Sequence, residues 1–276
     1  VNALVGQKVA IVSPKAQTTR TRLMGVAMAR DVQIVLIDTP GIFAPERRLD
    51  RAMVAAAWGS IDQAEAIVLV VDALAKPGER VDRLIAGLKD RKEPLILALN
   101  KVDLAKKDKL LTLAEDLAGR AHFAEIFFIS AQTGDGIAEL KAHLATRMPE
   151  GAWHFPEDEV SDAPERMLAA EITREQLFRQ LHEELPYQST VETELFKTRP
   201  DGSAEIHQQI FVARDNQRAI VLGKGGSRIK EIGAKARAEL SELLGRKVHL
   251  FLHVKVKANW DEDRSVYRDM GLDWVD

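Results

Sequence analysis

The sequence predicts two successive domains, an α/β domain with a mostly parallel sheet and then a smaller α+β domain. In residues 1–149, apolar strand-like runs alternate with segments of helical periodicity. Residues 150–165 contain six acidic residues, two prolines and no Lys or Arg, which indicates an acidic linker. Residues 166–276 combine one long amphipathic helix with strands of alternating polarity. Because the chain has 276 residues, each domain is large enough to bury its own core.

The strands predicted in the first domain are short and almost wholly apolar, as in parallel sheets that are covered on both faces. They lie at residues 8–12, 32–37, 67–71, 95–99 and 126–129, and helices are predicted at residues 50–61, 80–89, 108–120 and 137–147. In open α/β sheets, ligands bind where the carboxyl ends of the strands meet. The residues that follow each strand are therefore the first candidates for a functional site.

The tetrapeptide Asn100-Lys101-Val102-Asp103 directly follows the strand at 95–99 and predicts a loop that recognises guanine. The Asp103 carboxylate would accept hydrogen bonds from the N1 proton and the exocyclic amine of guanine, a donor pair that adenine lacks. Asn100 would brace the loop, and the aliphatic stem of Lys101 would lie over the purine ring. Taken alone, such a tetrapeptide is more often a solvated turn, so the prediction depends on the other segments.

A second motif, Asp38-Thr39-Pro40-Gly41, follows the strand at 32–37. Asp38 would hold Mg²⁺ through water, and the Gly41 amide would donate a hydrogen bond to a γ-phosphate oxygen. The alternative is an ordinary Pro-Gly turn. In combination with the guanine loop, the motif predicts the phosphate end of a GTP site.

Two more segments extend this predicted site. Ser130-Ala131 follows the strand at 126–129, and the Ala131 amide would meet the guanine O6. Gln17-Thr18-Thr19-Arg20 would act as a switch loop, with the Thr19 hydroxyl on Mg²⁺ and a main-chain group that senses the γ-phosphate. The predicted GTP-binding set is therefore Thr18, Thr19, Asp38, Thr39, Pro40, Gly41, Asn100, Lys101, Asp103, Ser130 and Ala131, with Thr19 and Asp38 as the Mg²⁺ residues.

Thr19, Asp38 and Gly41 are the predicted catalytic residues for hydrolysis of GTP. The next residue, Ile42, stands where many GTPases have a glutamine that orients the attacking water. Isoleucine cannot do this, so we expect slow intrinsic hydrolysis. The water would be held by backbone groups, another side chain, a monovalent ion or a bound partner, and the candidate side chains are Thr18, Thr19, Arg20 and Asp38.

The sequence contains no phosphate-cradling loop of the form G-x-x-x-x-G-K-[ST]. The chain starts at Val1 with what is expected to be the end of a first helix and the strand after it. A parallel sheet that lacked its central first strand would leave backbone groups of its neighbouring strands unpaired. We therefore expect residues to precede Val1 in the native protein. A chain without the phosphate loop is expected to be inactive in hydrolysis.

The second domain contains a G-x-x-G loop, Gly223-Lys224-Gly225-Gly226, between an apolar segment and a predicted helix. Glycines let a nucleic-acid backbone approach closely, and the helix N-terminus presents free amides to a phosphate. A bare G-x-x-G is more often a helix-entry turn. The residues predicted to bind RNA are Ile220, Leu222, Gly223, Lys224, Gly225, Gly226, Arg228, Ile229, Lys230, Lys255 and Lys257.

Charge supports the RNA prediction, because residues 214–257 hold 11 Lys or Arg against 4 Asp or Glu in a chain of net charge −3. Residues 247–257 alternate strictly, which predicts a strand with apolar residues from Val248 to Val256 packed and its lysines exposed. The alternative is a solvated edge strand that lysines protect from aggregation. A helix at 166–184 and strands at 190–197 and 205–212 complete a predicted KH domain.

These segments together resemble the Era family of bacterial GTPases over essentially the whole chain. The resemblance is carried by Gly6-Gln7-Lys8, Lys15-Ala16-Gln17-Thr18-Thr19-Arg20, Asp38-Thr39-Pro40-Gly41-Ile42-Phe43, Asn100-Lys101-Val102-Asp103, His154-Phe155-Pro156-Glu157-Asp158 and Glu184-Leu185-Pro186-Tyr187. It implies a P-loop-type GTPase domain at 1–149 and a KH domain at 166–276. It also implies that GTP, GDP and Mg²⁺ bind, and that a monomer binds 16S ribosomal RNA near its 3′ end and assists 30S assembly. Peripheral association with the inner membrane is a further implication.

Composition is consistent with a cytoplasmic protein, because the chain has no Cys and hence no disulfides. Two other functional classes stay open from the residues alone. One is an RNA-binding protein whose degenerate GTPase domain does not hydrolyse GTP. The other is a GTP-dependent switch for a membrane or protein partner, in which the G-x-x-G loop is only structural.

Overall fold

The computed structural model describes residues 1–15, 18–157, 159–161 and 163–276. The first domain contains the following elements in chain order: α1 Asn2–Val5, β1 Leu23–Ala29, β2 Val32–Asp38, α2 Arg48–Ile61, β3 Ile67–Asp72, α3 Glu79–Leu88, β4 Leu95–Asn100, α4 Lys107–Ala118, β5 Glu125–Ile129 and α5 Ile137–Ala145. Strands β3, β4 and β5 form a parallel sheet with β4 in the centre, whereas β1 and β2 form an antiparallel pair. The predicted α/β class is confirmed.

Strand β4 shows why the parallel strands are apolar throughout. Leu97 and Leu99 are buried on one face of the sheet against Leu117 of α4. Ile96 and Ala98 are buried on the opposite face with Leu140 of α5. Because both faces are covered, every position from Leu95 to Leu99 must be apolar.

A cleft of about 2040 Å³ separates β2 from β3. In the described residues, these two strands are not neighbours in a sheet. Residues from the carboxyl ends of several strands line the cleft, including Asp38, Asp72 and Asn100. The edge at which the sequence places the nucleotide therefore faces this cleft.

The prediction of a strand at residues 8–12 is wrong, because this segment has no strand partner in the described residues. The side chain of Asn2 forms hydrogen bonds to this segment in place of a neighbouring strand. Its side-chain oxygen accepts hydrogen bonds from the amides of Val9 and Ala10 at 2.9 and 2.8 Å, and its nitrogen donates to the Ala10 carbonyl at 2.7 Å. Ile11 is buried among residues of the second domain.

Strand β1 was not predicted from the sequence. It reads Leu-Met-Gly-Val-Ala-Met-Ala, and glycine and alanine have low strand propensity. Its pairing with β2 over the whole length, from Leu23 opposite Asp38 to Ala29 opposite Val32, makes it a strand. The hairpin brings Asp38 next to the segment that precedes β1.

The second domain contains α6 Glu165–Gln180, β6 Ser189–Thr198, β7 Ala204–Val212, α7 Asp215–Leu222, α8 Ser227–Leu243, β8 Val248–Val256 and α9 Arg264–Asp269. The sheet order is β6-β7-β8, with β6 antiparallel and β8 parallel to β7. Helices α6 and α8 cover one face and bury Ile172, Ile206 and Leu240. The α+β class is confirmed. Helix α6 ends before the predicted residue 184, because Leu181 is extended and Glu183 is left-handed with φ 54°.

The acidic linker predicted at 150–165 lies along the first domain. The side-chain oxygen of Gln33 accepts hydrogen bonds from the amides of His154 and Phe155, and the amide of Val26 donates to Val160. Asp158 and Asp162, two of its acidic residues, lie outside the described residues. The described part of the linker is therefore attached to β1 and β2.

The last residues of the chain pack against the first domain. Trp260 and Tyr267 are buried together with Leu49 and Met53 of α2. Arg48 forms an ion pair with Glu262 at 2.9 Å. The segment predicted as the end of the KH domain thus also contacts α2. In the part of the chain that the structure describes, none of the helices has the length and apolar character needed to cross a membrane.

Candidate nucleotide and nucleic-acid sites

The predicted guanine loop begins where β4 ends at Asn100. Lys101 has a left-handed backbone with φ 72°, and a 3-10 turn over Val102–Leu104 leaves Asp103 exposed. The side-chain oxygen of Asn100 accepts a hydrogen bond from the amide of Ala131 at 2.9 Å. Asn100 therefore joins the two loops that the sequence assigns to the guanine base.

The loop at Ser130-Ala131 is held by its own backbone. The Ser130 amide donates to the Asp135 carbonyl at 2.9 Å, and the Ser130 hydroxyl accepts from the Thr133 amide at 3.1 Å. A Cβ on Gly136, which has φ +69°, would lie 2.2 Å from the Phe128 carbonyl oxygen. Only glycine allows the chain to turn back there. Ser130 is fully buried and Ala131 is exposed.

Asp72 belongs to this site, although the sequence analysis did not select it. It ends β3 beside Asn100, and its side chain pairs with Lys101 at 2.6 Å. The amide of Leu74 donates to its other carboxylate oxygen at 2.9 Å. Burial would raise the pKa of Asp72, but the bonds from Lys101 and Leu74 hold the pKa below its ordinary value. The sequence feature that could have identified Asp72 is its position at the carboxyl end of an apolar strand, since Asn100 ends a neighbouring strand in the same way.

The predicted Mg²⁺ residues meet in the structure. The Thr19 hydroxyl donates to the Asp38 carboxylate at 3.1 Å, and Asp38 is half-buried at the end of β2. Burial raises the pKa of Asp38 above its ordinary value, which indicates a carboxylate that a cation would stabilise. Mg²⁺ prefers oxygen ligands, so these two side chains fit the ion.

The predicted switch segment is anchored to the second domain. Arg20 is 2% exposed and donates to the carbonyls of Ser189 at 2.8 Å, Tyr187 at 3.0 Å and Pro186 at 3.2 Å. Burial, followed by the nearby Arg174 and Arg47, lowers the pKa of Arg20 to about 9. The guanidinium of Arg20, one of the four candidate side chains for the attacking water, therefore bonds to these three carbonyls in the structure.

Other contacts of the same segment run to α6. The guanidinium of Arg174 donates to the Thr18 carbonyl at 2.6 Å, and Arg179 donates to the Val12 carbonyl at 3.2 Å. The Thr18 hydroxyl donates to the Lys15 carbonyl at 2.7 Å. Ala16 and Gln17 of the predicted switch motif lie outside the described residues. The main chain on both sides of them is held by the second domain.

The G-x-x-G loop connects α7 to α8, so the apolar segment before it is a helix. Gly223, Gly225 and Gly226 have φ of +69°, +59° and +77°. A Cβ on Gly223 would lie 2.8 Å from the Arg228 Cβ, so glycine is required there for space as well as for conformation. Lys224 is exposed at the start of α8, where the first helical amides are free.

Apolar side chains lie on both sides of this loop. Ile220 is 46% exposed, whereas Leu222, Ile229 and Leu252 are partly buried against the core of the second domain. Arg228 donates to the Ile220 carbonyl at 3.0 Å, and Lys230 is exposed. This is the arrangement that the sequence predicted for stacked or inserted bases.

The strand β8 departs from its prediction at its end. Val256 is 39% exposed, so the packed apolar row stops at Val254. Lys257 forms an ion pair with Asp263 and lies 5.1 Å from the centre of the Phe211 ring. Lys255 lies 3.7 Å from Glu194 and is exposed. Both predicted RNA-binding lysines of this strand end are therefore paired with carboxylates, and Lys255 is the more exposed of the two.

Comparison with known proteins supports both domains. A model of a 50S ribosome-binding GTPase matches residues 1–101, and a KH domain model matches residues 184–261. The GTPase Era of Erythrobacter litoralis is 61% identical over 279 residues, which cover 100% of this chain and 92% of that protein. The chain belongs to the Era family of GTPases. The GTPase Era of Afipia carboxidovorans is 53% identical, covering 99% of this chain and 89% of its own length.

Two solved Era structures share the whole architecture of this Era-family chain. One is Era in complex with MgGDPNP and nucleotides 1506–1542 of 16S ribosomal RNA, with a TM-score of 0.92 and 37% identity. The other is a variant of Aquifex aeolicus Era bound to GDP·AlF4⁻, also with a TM-score of 0.92 and 37% identity. Each match covers 98% of this chain and 92% of the other. The predicted P-loop-type GTPase fold with a KH domain is confirmed.

Several residues that the sequence assigned to GTP line the cleft between β2 and β3 in this Era-family chain. They are Asp38, Thr39, Pro40, Gly41, Asn100 and Ala131. Thr19 and Lys101 contact residues that line the cleft: the Thr19 hydroxyl donates to Asp38, and the Lys101 ammonium group donates to Asp72. The role of each residue toward GTP stays a prediction.

Proposed function

We propose that this chain is a GTP-hydrolysing switch that binds small-subunit ribosomal RNA near its 3′ end and assists assembly of the 30S subunit. The observation that carries the proposal is the presence of a braced guanine loop and a sterically required G-x-x-G loop in one chain. The Era complex with MgGDPNP and 16S RNA, which has the same fold, supports it.

In this proposal, Asp103 accepts two hydrogen bonds from guanine, and Asn100 holds the Ala131 amide toward the guanine O6. The stem of Lys101 covers the purine, with its ammonium group held at Asp72. Ser130 anchors the backbone of this loop from its buried position. These residues give selectivity for the base and would contribute equally to GTP and GDP binding.

At the phosphate end, Thr19 and Asp38 hold Mg²⁺, which when bound neutralises charge on the β- and γ-phosphates. The Gly41 amide donates to a γ-phosphate oxygen, and the buried Pro40 fixes the turn that presents it. A main-chain group of Thr18 or Thr39 would sense the γ-phosphate by donating a hydrogen bond to one of its oxygens. The Arg20 side chain donates hydrogen bonds to carbonyls of residues 186–189 in the second domain. A change from GTP to GDP that moved this segment would therefore also move its contacts with the second domain.

For RNA, the free amides at the start of α8 would bind a backbone phosphate, with Lys224 and Lys230 supplying charge. The glycines of the loop leave room for the sugar-phosphate chain. Bases would pack against Ile220, Leu222 and Ile229. Lys255 would contact a phosphate at the edge of β8.

The test replaces Lys224 and Gly225 by Asp together, which puts two carboxylates where the phosphate would lie. The affinity for a single-stranded segment from the 3′ end of 16S RNA should fall at least about tenfold, or ~1.4 kcal/mol, with a shallower salt dependence. GTP affinity should not change. Fluorescence anisotropy titrations at several salt concentrations measure both.

Lys235→Asp is the matched control, because Lys235 lies on the same helix and is exposed. It should leave RNA affinity within about twofold of wild type. If the double variant kept its fold and full RNA affinity, the G-x-x-G loop would be only a structural turn. RNA binding without GTP hydrolysis in the wild-type protein would instead favour the degenerate GTPase domain.

We also propose that the protein is a cytoplasmic monomer with peripheral association to the inner membrane. GTP and ribosomal RNA, its two proposed ligands, are cytoplasmic, and the family resemblance implies the membrane association. Sedimentation velocity should give the mass of one chain and no larger species. Co-sedimentation with anionic vesicles should be salt-dependent if the association is peripheral.

A further inference from the structure

Hydrolysis of GTP increases negative charge at the oxygens around the transferred γ-phosphoryl group. Some GTPases stabilise this charge with an arginine that belongs to the same chain or to a partner. In this chain, Ile42 cannot orient water and Arg20 is committed to the second domain. Two arginines, Arg22 and Arg80, line the described part of the cleft between β2 and β3. Arg22 donates to Gln63, whereas Arg80 lies beside Gly41.

Arg80 is the second residue of α3. Its Nε donates to the carbonyl of Ile42 at 3.1 Å. A Cβ on Gly41 would lie only 2.3 Å from one of its terminal nitrogens, so the guanidinium rests on the bare backbone of Gly41. The Gly41 amide is the group that our proposed function places on the γ-phosphate. Arg80 thus lies at the phosphate end of the cleft, which it also lines.

The charge of Arg80 is not neutralised by a carboxylate. None of the ion pairs that the described residues form includes Arg80. By contrast, Arg83, one turn further along the same exposed face of α3, pairs with Glu79 at 3.3 Å. The Nε of Arg80 is used by Ile42, which leaves both terminal nitrogens able to donate to a new acceptor.

We propose that Arg80 is a catalytic residue that donates hydrogen bonds to the γ-phosphoryl oxygens during hydrolysis, an inference that rests on the proposed function. A water oxygen bonds to the γ-phosphorus, and the bond from phosphorus to the β–γ bridging oxygen breaks with its electron pair on GDP. The water proton ends on the released phosphate. Arg80 stabilises the charge on the oxygens and takes no part in the proton transfer.

The test compares Arg80→Met, Arg80→Lys and Arg83→Met with the wild-type protein, each loaded with GTP. Single-turnover hydrolysis should fall at least about 30-fold in Arg80→Met and about tenfold in Arg80→Lys, because Lys keeps the charge but not the planar fork. Affinities for GTP and GDP should stay within about threefold. Arg83→Met should match wild type in every measurement.

A second measurement separates the transition state from the ground state. GDP with aluminium fluoride, which imitates the transferred phosphoryl group, should bind wild type and Arg83→Met but bind Arg80→Met at least about tenfold less tightly. Equal hydrolysis rates for Arg80→Met and wild type would overturn the inference alone. A wild-type protein that bound no GTP would overturn the proposed function and this inference with it.

Discussion

The loops that we propose for base recognition and the segment that we propose as a switch are held by different parts of the molecule. Asn100, Lys101 and Ala131 are fixed by strand ends of their own sheet, through bonds to one another and to Asp72. The described residues on either side of Ala16 and Gln17, namely 8–15 and 18–20, lie outside the helices and strands and are held mainly by the second domain, through Arg20 and α6. Base selectivity should therefore be independent of the KH domain, whereas the sensing of the γ-phosphate should not.

The largest effect expected from this comparison is on base selectivity. Asp103→Asn replaces one acceptor oxygen with a donor that faces the guanine N1 and N2 protons. GTP affinity should fall about 1,000-fold, or ~4 kcal/mol, and preference should move toward xanthine nucleotides. Competition binding of GTP, XTP and ATP measures this.

Asp90→Asn, at an exposed position outside the cleft, should bind GTP like wild type. RNA affinity of Asp103→Asn without nucleotide should equal that of wild type. If the variant kept wild-type GTP affinity, the assignment of this loop to guanine would have to be abandoned.

A smaller effect is expected when the anchor of the switch segment is removed. Arg20→Ala leaves the carbonyls of residues 186–189 without their donor and should lower the free energy of unfolding by about 2 kcal/mol. GDP affinity should change less than about twofold, because the guanine loops do not depend on this contact. Calorimetry and GDP titration measure the two quantities.

Arg22→Ala is the matched control, since Arg22 lies two residues away and donates to Gln63 within the first domain. Hydrogen exchange should show faster exchange at residues 18–20 in Arg20→Ala but not in Arg22→Ala. A large loss of GDP affinity in Arg20→Ala would contradict the proposed independence of the two regions.

The smallest effect concerns Asp72, which orients Lys101. Asp72→Asn removes the charge of a partly exposed ion pair, so GTP affinity should fall about threefold, or ~0.7 kcal/mol. Because the pKa of Asp72 is lowered in the folded protein, the pair is complete above the ordinary carboxyl pKa of about 3.9 and is lost as pH falls through the lowered value. The difference between variant and wild type should hence be constant from about pH 5 to 8.

Asp82→Asn provides the comparison, because Asp82 forms a similar exposed pair with Arg120 at 2.7 Å outside the cleft. It should not change GTP affinity. An affinity of Asp72→Asn equal to that of wild type would mean that Lys101 needs no orientation.

The sequence alone located the candidate segments that carry local signals. The proposed guanine loop and the Asp38 motif each follow an apolar strand pattern, and the G-x-x-G loop is marked by its glycines before a helical pattern. Their positions in the structure agree with that reading, although the role of each residue stays a prediction. The fold class could be predicted for the same reason.

Only the tertiary structure decided which distant groups those loops meet. The alternation of residues 247–257 did not reveal that Lys257 forms an ion pair with Asp263 or that Val256 is exposed. The apolar residues of 8–12 predicted a strand, but Asn2 and the second domain satisfy that segment instead. Arg20, Asp72 and Arg80 could not be singled out by their partners, because the sequence does not show which side chains come together. Those partners are set by packing between elements that are far apart in the chain, and such packing leaves no periodic pattern.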